Sequence, residues 1–296
     1  MMKTLVTGCS GLVGSALVEA LFQQGHTVQC LQREKKSGGK NFWATHAISE
    51  RERVCDQVVH LAGENVSSGR WSAAQKQRIL DSRIVGTREL VDFISLLPQK
   101  PRVVLCASAV GFYGNRGEQT VDETGSPGSG FLAEVCRQWE KELEPLRDLG
   151  IRTVNLRFGM ILSGKGGALQ RMIPPFRAGF GGVIGSGGQY VSWISVGDVV
   201  GVIDFLMGKT SVHGPVNVVT PTPVTNRQLT VALGKALGRP TFFKVPAFLA
   251  KSILGQMADE MVLSSTRAIP RVLLAAGYTF QDTSLDAVLQ ECLKAS

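Results

Sequence analysis

The segment Thr7-Gly8-Cys9-Ser10-Gly11-Leu12-Val13-Gly14 constrains this chain more than any other. It follows the short run Lys3-Thr4-Leu5-Val6 and opens a helical pattern, so it reads as a strand–turn–helix junction. Gly8 permits the tight turn, Gly11 lets the backbone approach a pyrophosphate, and Gly14 allows close packing of helix on strand. The helix N-terminus supplies N–H donors and the positive end of a dipole, so the turn from Gly8 through Ser10, Leu12 and Val13 is a dinucleotide-binding candidate. The spacing is G-x-x-G-x-x-G, not the G-x-G-x-x-G of the usual fingerprint.

Short apolar runs then alternate with helical patterns, the signature of βαβ units that build a parallel sheet. Strands are expected at 4–7, 27–33, 57–62, 103–108 and 152–157, and helices at 15–24, 73–96 and 130–149, the last interrupted in character by Pro145. The stretch between the second strand and residue 57 is tight for a full crossover, so one element there is expected to be shortened. After Gly159 the composition changes to a glycine-rich loop with a short helix at 169–177, then a mainly helical tail punctuated by prolines. The expected fold class is α/β, a Rossmann-type doubly wound parallel sheet with a smaller, mainly helical C-terminal lobe. The expected division is 1–162 for the nucleotide-binding domain, with part of 190–220 returning to it, and 163–296 for the substrate-side lobe.

The end of the second strand discriminates between cofactors. An acidic residue there holds the ribose 2′-hydroxyl of NAD, whereas an Arg accommodates the 2′-phosphate of NADP. The chain reads Leu31-Gln32-Arg33-Glu34-Lys35-Lys36, which places Arg33 there and favours NADP(H) over NAD, with Glu34 as the competing neighbour. A planar guanidinium gives bidentate contacts to phosphate.

The formal net charge of +8 raises nucleic acid as a partner, but no Lys/Arg cluster with interleaved aromatics supports it. Anionic small molecules or a solvated basic surface account for the charge. No apolar run is long enough to cross a bilayer, and the N-terminus enters a strand without a signal-peptide pattern, so a cytoplasmic protein with no membrane partner is expected. The six cysteines show no C-x-x-C or metal-type spacing, and Cys30, Cys55 and Cys106 lie in or beside apolar segments. Buried reduced thiols are therefore expected, not disulfides or zinc ligands. Cys9 stands at a helix N-terminus that lowers a thiol pKa. None of the histidines pairs with a carboxylate at ligand spacing, so no metal site is expected.

The glycine turn is followed by Leu61-Ala62-Gly63, Arg83-Ile84-Val85-Gly86-Thr87 and Ser108-Ala109-Val110-Gly111-Phe112-Tyr113-Gly114. With it, these segments resemble the extended short-chain dehydrogenase/reductase superfamily. His60 to Asn65, Arg157 to Leu162, Ile184 to Gly187, Trp193 to Asp198, Pro223 to Asn226 and Pro270 to Gly277 resemble one atypical branch. That branch is the "epimerase family protein" group, short-chain dehydrogenase family 39U. The resemblance implies NADP(H) binding with Gly8, Gly11 and Gly14 at the pyrophosphate and Arg33 at the 2′-phosphate. Leu61, Ala62 and Gly63 would lie along the adenosine and ribose. It also implies dimerisation through two helices as a feature of many extended members, hence a homodimer as a candidate assembly.

Typical members use a Ser or Thr, a Tyr and a Lys, the last two spaced Y-x-x-x-K so that both share a helix face. Ungapped alignment on Glu140 puts Leu132 at the Tyr position and Cys136 at the Lys position. Counting from Tyr113-Gly114 puts Ala109, not Ser108, at the Ser position. The catalytic residues are therefore unknown, with Tyr113 and Glu134 as candidates, followed by Glu64. For Tyr113 packing, and for Glu134 a solvated helix face, are equally open. Trp71, Met172, Pro174, Phe176 and Trp193 are divided between pocket lining and core. Two functions remain: an NADP(H)-dependent oxidoreductase or epimerase-like enzyme with a nonstandard proton donor, and a catalytically silent NADPH-binding sensor.

Overall fold

In the computed structural model, residues 2–35, 41–43 and 54–294 are described, the segments 33–35 and 41–43 by their backbone alone. The chain runs β1 (Lys3–Thr7), α1 (Leu12–Gln23), β2 (Thr27–Leu31), then the antiparallel pair β3 (Arg33–Lys35) and β4 (Asn41–Trp43). It continues through β5 (Gln57–His60), α2 (Ala73–Leu96), β6 (Val103–Ala109), β7 (Thr120–Val121), α3 (Phe131–Lys141), α4 (Glu144–Asp148) and β8 (Arg152–Phe158). Then come β9 (Met160–Leu162), α5 (Gly167–Arg177), β10 (Gly182–Ile184), β11 (Tyr190–Val191), β12 (Trp193–Ser195), α6 (Val196–Gly208) and β13 (Gly214–Val218). The remainder is β14 (Val224–Thr225), α7 (Asn226–Ala236), β15 (Phe243–Val245), α8 (Ala247–Leu254), a π-helical turn at Ala258–Val262, β16 (Arg267–Ala268), α9 (Arg271–Ala275) and α10 (Leu285–Lys294).

The main sheet has the order β2-β1-β5-β6-β8-β13, with every pairing parallel. Successive side chains on a strand point to opposite faces. Val6, Val59 and Leu105 accordingly pack on α1 and α6 through Leu17, Leu21, Val199, Val202 and Ile203. Their neighbours Leu5, Val58 and Val104 pack on α2 through Leu90, Val91 and Ile94. Both faces are covered, which is why both faces of the central strands carry buried apolar side chains. Residues 214–218 return to the sheet as its edge strand beside β8.

The expected helix at 130–149 is two helices. Pro145 lies in the first turn of α4. There its missing N–H is harmless, whereas mid-helix its ring would clash with the preceding turn. The expected second strand, 27–33, ends at Leu31, and Arg33 starts β3. The side chain of Arg33 and the crossover at 36–40 and 44–53 lie outside the described residues.

The cysteine expectation needs correction. Cys9 and Cys30 are joined by a disulfide, with Cα atoms 6.0 Å apart, and Cys30 is exposed. Parallel register places Cys30 opposite Val6, so the start of the glycine turn and the end of β2 meet side by side. Cys55, Cys106, Cys136 and Cys292 are buried and not disulfide-bonded, as expected.

Candidate functional site: a dinucleotide cleft at the sheet's switch point

Strand order reverses between β1 and β5, because the chain winds from β1 to β2 on one side and crosses to β5 on the other. In open α/β sheets ligands bind outside the carboxyl ends of the strands at such a reversal. Here those ends carry the glycine turn and Leu61-Ala62-Gly63. Gly8 has φ +76°, and a Cβ there would stand 2.8 Å from the Leu61 carbonyl carbon. A Cβ on Gly14 would stand 2.1 Å from the Gly8 oxygen, so the close approach of α1 to the turn requires glycine. α1 has no side-chain cap at its N-terminus, whereas Ser72 caps α2 and Ser195 caps α6. The first N–H groups of α1 therefore have no side-chain acceptor, as an anion site requires.

The two turns are held together by Thr7, whose Oγ1 accepts from Leu61 N at 3.2 Å and Ala62 N at 3.3 Å. Its proton then goes to His60 Nδ1 at 2.7 Å, and His60 Nε2 donates to Thr87 Oγ1 at 2.9 Å. Trp139 Nε1 donates to the same Thr87 oxygen at 2.8 Å. His60 is thus a buried strut tying β1, β5, α2 and α3 together through both ring nitrogens.

A cavity of about 530 Å³ runs from this turn across the strand ends. At one end it is lined by Gly8, Gly11, Leu12, Val13, Gly14, Leu61 and Gly63. At the other it is lined by Ser108, Ala109, Leu132, Cys136, Tyr190, Ser192 and Glu260. Ser10 faces an adjoining cavity that shares Gly11, Leu12 and Asn65. Arg83 lies beside Gly63, where a Cβ would meet its guanidinium at 3.3 Å, and stacks 5.1 Å from the Trp139 ring. Behind Ser108, Glu140 accepts its hydroxyl proton at 2.6 Å and forms two 2.8 Å bonds with Arg157.

The NAD dependent epimerase/dehydratase family matches residues 4–219. This chain belongs to that family. A domain of unknown function, DUF1731, matches residues 245–292. Epimerase family protein Mb2239 of Mycobacterium bovis is 39% identical over 292 residues, which is 96% of this chain and 95% of that protein. The crystal structure of human epimerase family protein SDR39U1 with NADPH superposes at a TM-score of 0.87, with 32% identity and 99% coverage of both chains. Thermus thermophilus UDP-glucose 4-epimerase, solved with NAD, superposes at 0.76 but with 21% identity, over 98% of each chain, and shares the fold.

Leu132 and Cys136, which the ungapped alignment sets at the expected Tyr and Lys positions, both line the cleft, as does Ala109. Burial pushes the Cys136 thiol up to about 11, so it is not a ready nucleophile. Neither expected catalytic candidate lines the cavity. Tyr113 is fully buried; its hydroxyl accepts from Arg157 at 2.9 Å and donates to Asn217 at 2.7 Å. Glu134 sits on the outer face of α3 and pairs with Arg137 at 2.5 Å. Hydrogen bonds from Arg137 and Gln138 hold its carboxyl at about 2, so it stays ionised and cannot serve as an acid. Glu64 does line the cleft, with Ser68 and Gln75 on its carboxylate. Trp71, Met172, Phe176 and Trp193 pack in core clusters, and Pro174 lies within α5, so none lines this cavity.

Sequence reasoning missed Glu260. Its carboxylate accepts from Phe131 N at 3.0 Å and Leu132 N at 2.7 Å, capping α3 from the π-helical turn. Gly130 offers α3 no side-chain cap, which was the one local hint that a distant residue must supply it.

Proposed function

We propose that this chain binds NADP(H) along the β1/β5 crevice and acts as an oxidoreductase or epimerase-like enzyme without the usual Ser-Tyr-Lys set. The observation that carries the reading is the continuity of the cleft. A glycine turn that admits no Cβ at Gly8 or Gly14 opens directly into a cavity reaching Ala109, Leu132 and Cys136. The residues fit a dinucleotide: the Gly8 and Gly14 positions leave room for backbone approach, and the N-terminus of α1 has no competing side-chain acceptor. Bound there, the nicotinamide ring supplies hydride transfer. The chain's own residues position the substrate and manage a proton. Ser108, held by Glu140, and Glu64 are the polar groups on the cleft wall suited to orient a substrate oxygen. In this reading residues 1–162, with part of 190–220, hold the nucleotide, Arg33 receives the 2′-phosphate, and residues 163–296 form the opposite wall. The human relative's crystallisation with NADPH supports this cofactor.

A second reading has its own observation. Ala107, Ala109, Val110, Leu132 and Val135 make the far end of the cleft largely apolar, which suits a silent NADPH-binding sensor. The test is a titration of NADPH against NADH on the wild type and on Arg33→Ala, followed by a carbonyl-substrate screen. Tighter NADPH binding that Arg33→Ala erases supports the NADP(H) assignment. Equal binding of the two cofactors overturns the role of Arg33, and turnover in the screen decides for the enzyme over the sensor.

A further inference from the structure

We infer that Cys9 and Cys30 form a thiol–disulfide switch that sets the affinity of the glycine turn for its dinucleotide. The inference rests on the cofactor reading above for its consequence, though not for the chemistry of the pair itself.

Cys9 is the residue directly after Gly8, inside the turn that closes with Gly11 N donating to Gly8 O at 3.0 Å. Cys30 is the penultimate residue of β2, three positions before Arg33. The bond closes a ring across 21 positions that encloses all of α1 and nearly all of β2. It thereby pins the pyrophosphate turn to the strand that leads to the adenosine side. Cys9 is half-buried and Cys30 exposed, so a small disulfide or dithiol reaches the pair without unfolding the sheet. The four remaining cysteines are buried and not disulfide-bonded, and burial pushes Cys55 and Cys136 each up to about 11. Exchange is therefore directed to Cys9 and Cys30 by access.

The oxidant is a low-molecular-weight disulfide such as oxidised glutathione. The Cys30 thiolate attacks one of its sulfurs, a mixed disulfide forms on Cys30, and one glutathione thiolate leaves and takes up a proton. The Cys9 thiolate then attacks the Cys30 sulfur, the Cys9–Cys30 bond forms, and the second glutathione leaves in the same way. Two protein thiols lose two electrons, and one small disulfide gains them. A dithiol reverses the sequence.

The Cys9 sulfur lies 3.3 Å from the Val6 oxygen and the residue packs against the core beneath α1, outside the cleft lining that includes Gly8 and Gly11. Reduction unties the glycine turn from β2, so the turn loses the covalent restraint that holds it preorganised for a pyrophosphate. The oxidised form is thus the tighter binder, and by linkage the bound dinucleotide favours the bond.

The full-length protein is equilibrated in glutathione buffers of varied ratio, quenched with an alkylating agent and peptide-mapped; NADPH affinity is measured at the same ratios. The expected result is a Cys9–Cys30 linked peptide under oxidising ratios that a dithiol removes, with NADPH binding roughly fivefold tighter in the linked form. Cys30→Ser, which cannot close the ring, is expected to bind NADPH with an affinity indifferent to the ratio. Separate alkylation of Cys9 and Cys30 at every ratio overturns the switch. So does a linked peptide whose formation leaves NADPH affinity unchanged. Because the map reads the bond without nucleotide, failure of the cofactor reading would show as a linked peptide with no NADPH binding in either state.

Discussion

Arg157 and Glu140 form a two-bonded ion pair almost wholly out of solvent, with Nε to Oε1 and Nη2 to Oε2 both at 2.8 Å. The guanidinium also lies 3.5 Å from the Phe112 ring centroid and donates to the Tyr113 hydroxyl. The pair thus joins β8, α3 and the 3₁₀ turn after β6 at the back of the cleft. Removing one partner leaves an uncompensated buried charge. Glu140→Leu is expected to cost about 3–5 kcal/mol in urea unfolding. Removing both charges in Glu140→Leu/Arg157→Met should recover much of that. A single-variant loss below about 1 kcal/mol, the scale of a surface pair, would contradict the pair's structural weight.

The two later glycines of the turn should respond differently to one methyl group. On Gly14 the added Cβ meets backbone at 2.1 Å, and no side chain exists to yield. Gly14→Ala is expected to destabilise by more than about 2 kcal/mol and to abolish NADPH binding. On Gly11 the nearest atom is 3.3 Å away and the backbone is extended, with φ −78°. Gly11→Ala should keep stability within about 1 kcal/mol of wild type while weakening nucleotide binding. Circular-dichroism melts beside fluorescence titrations separate the two effects; equal destabilisation by both would refute the geometry.

Glu260 is the cap that α3 lacks in its own sequence. Glu260→Ala leaves Phe131 N and Leu132 N without their acceptor and is expected to cost about 1 kcal/mol. Because Leu132 lines the cleft, the same variant should change NADPH affinity, whereas Glu134→Ala on the outer face of α3 should leave it unaltered. Matching effects from both would place Glu260 outside the site's support.

Burial first, then the Asp198 carboxylate, push the Tyr278 phenol above its ordinary value of 10.0. Its hydroxyl donates to Asp198 Oδ1 at 3.1 Å, and only the protonated form can do so. The folded pKa is raised, so the stabilisation is complete below pH 10 and lost as pH climbs from the unfolded value toward the folded one. Over that window the unfolded state releases a proton that the folded state keeps, a slope of about 1.4 kcal/mol per pH unit. Burial raises the Tyr113 phenol in the same direction. The informative comparison is therefore wild type against Tyr278→Phe, unfolded in urea between pH 9 and 11. The variant should be less stable at pH 9 and lose stability less steeply by one proton; parallel slopes would count against the assignment.

The family, the alternating strands and helices and the glycine turn were legible in the sequence because each depends on neighbours a few positions apart. Period, turn chemistry and the demand for glycine at Gly8 and Gly14 are local constraints, and helix α2 appears with the very bounds its periodicity predicts. Leu132 and Cys136, which the ungapped alignment singled out, do line the cleft. What the sequence could not decide is which distant side chains meet. Tyr113 reads as a candidate proton donor beside a cofactor motif, yet Asn217, 104 positions away, and Arg157 enclose its hydroxyl. Glu260 caps a helix 129 positions upstream, and Cys30 reads as a buried thiol until parallel register sets it opposite Val6, beside Cys9. Those pairings are fixed by how the sheet orders its strands and by which helices then cover it. Strand order is a property of the packed whole: hydrophobic burial drives it without direction, and the polar contacts that define the site fall wherever that packing leaves them.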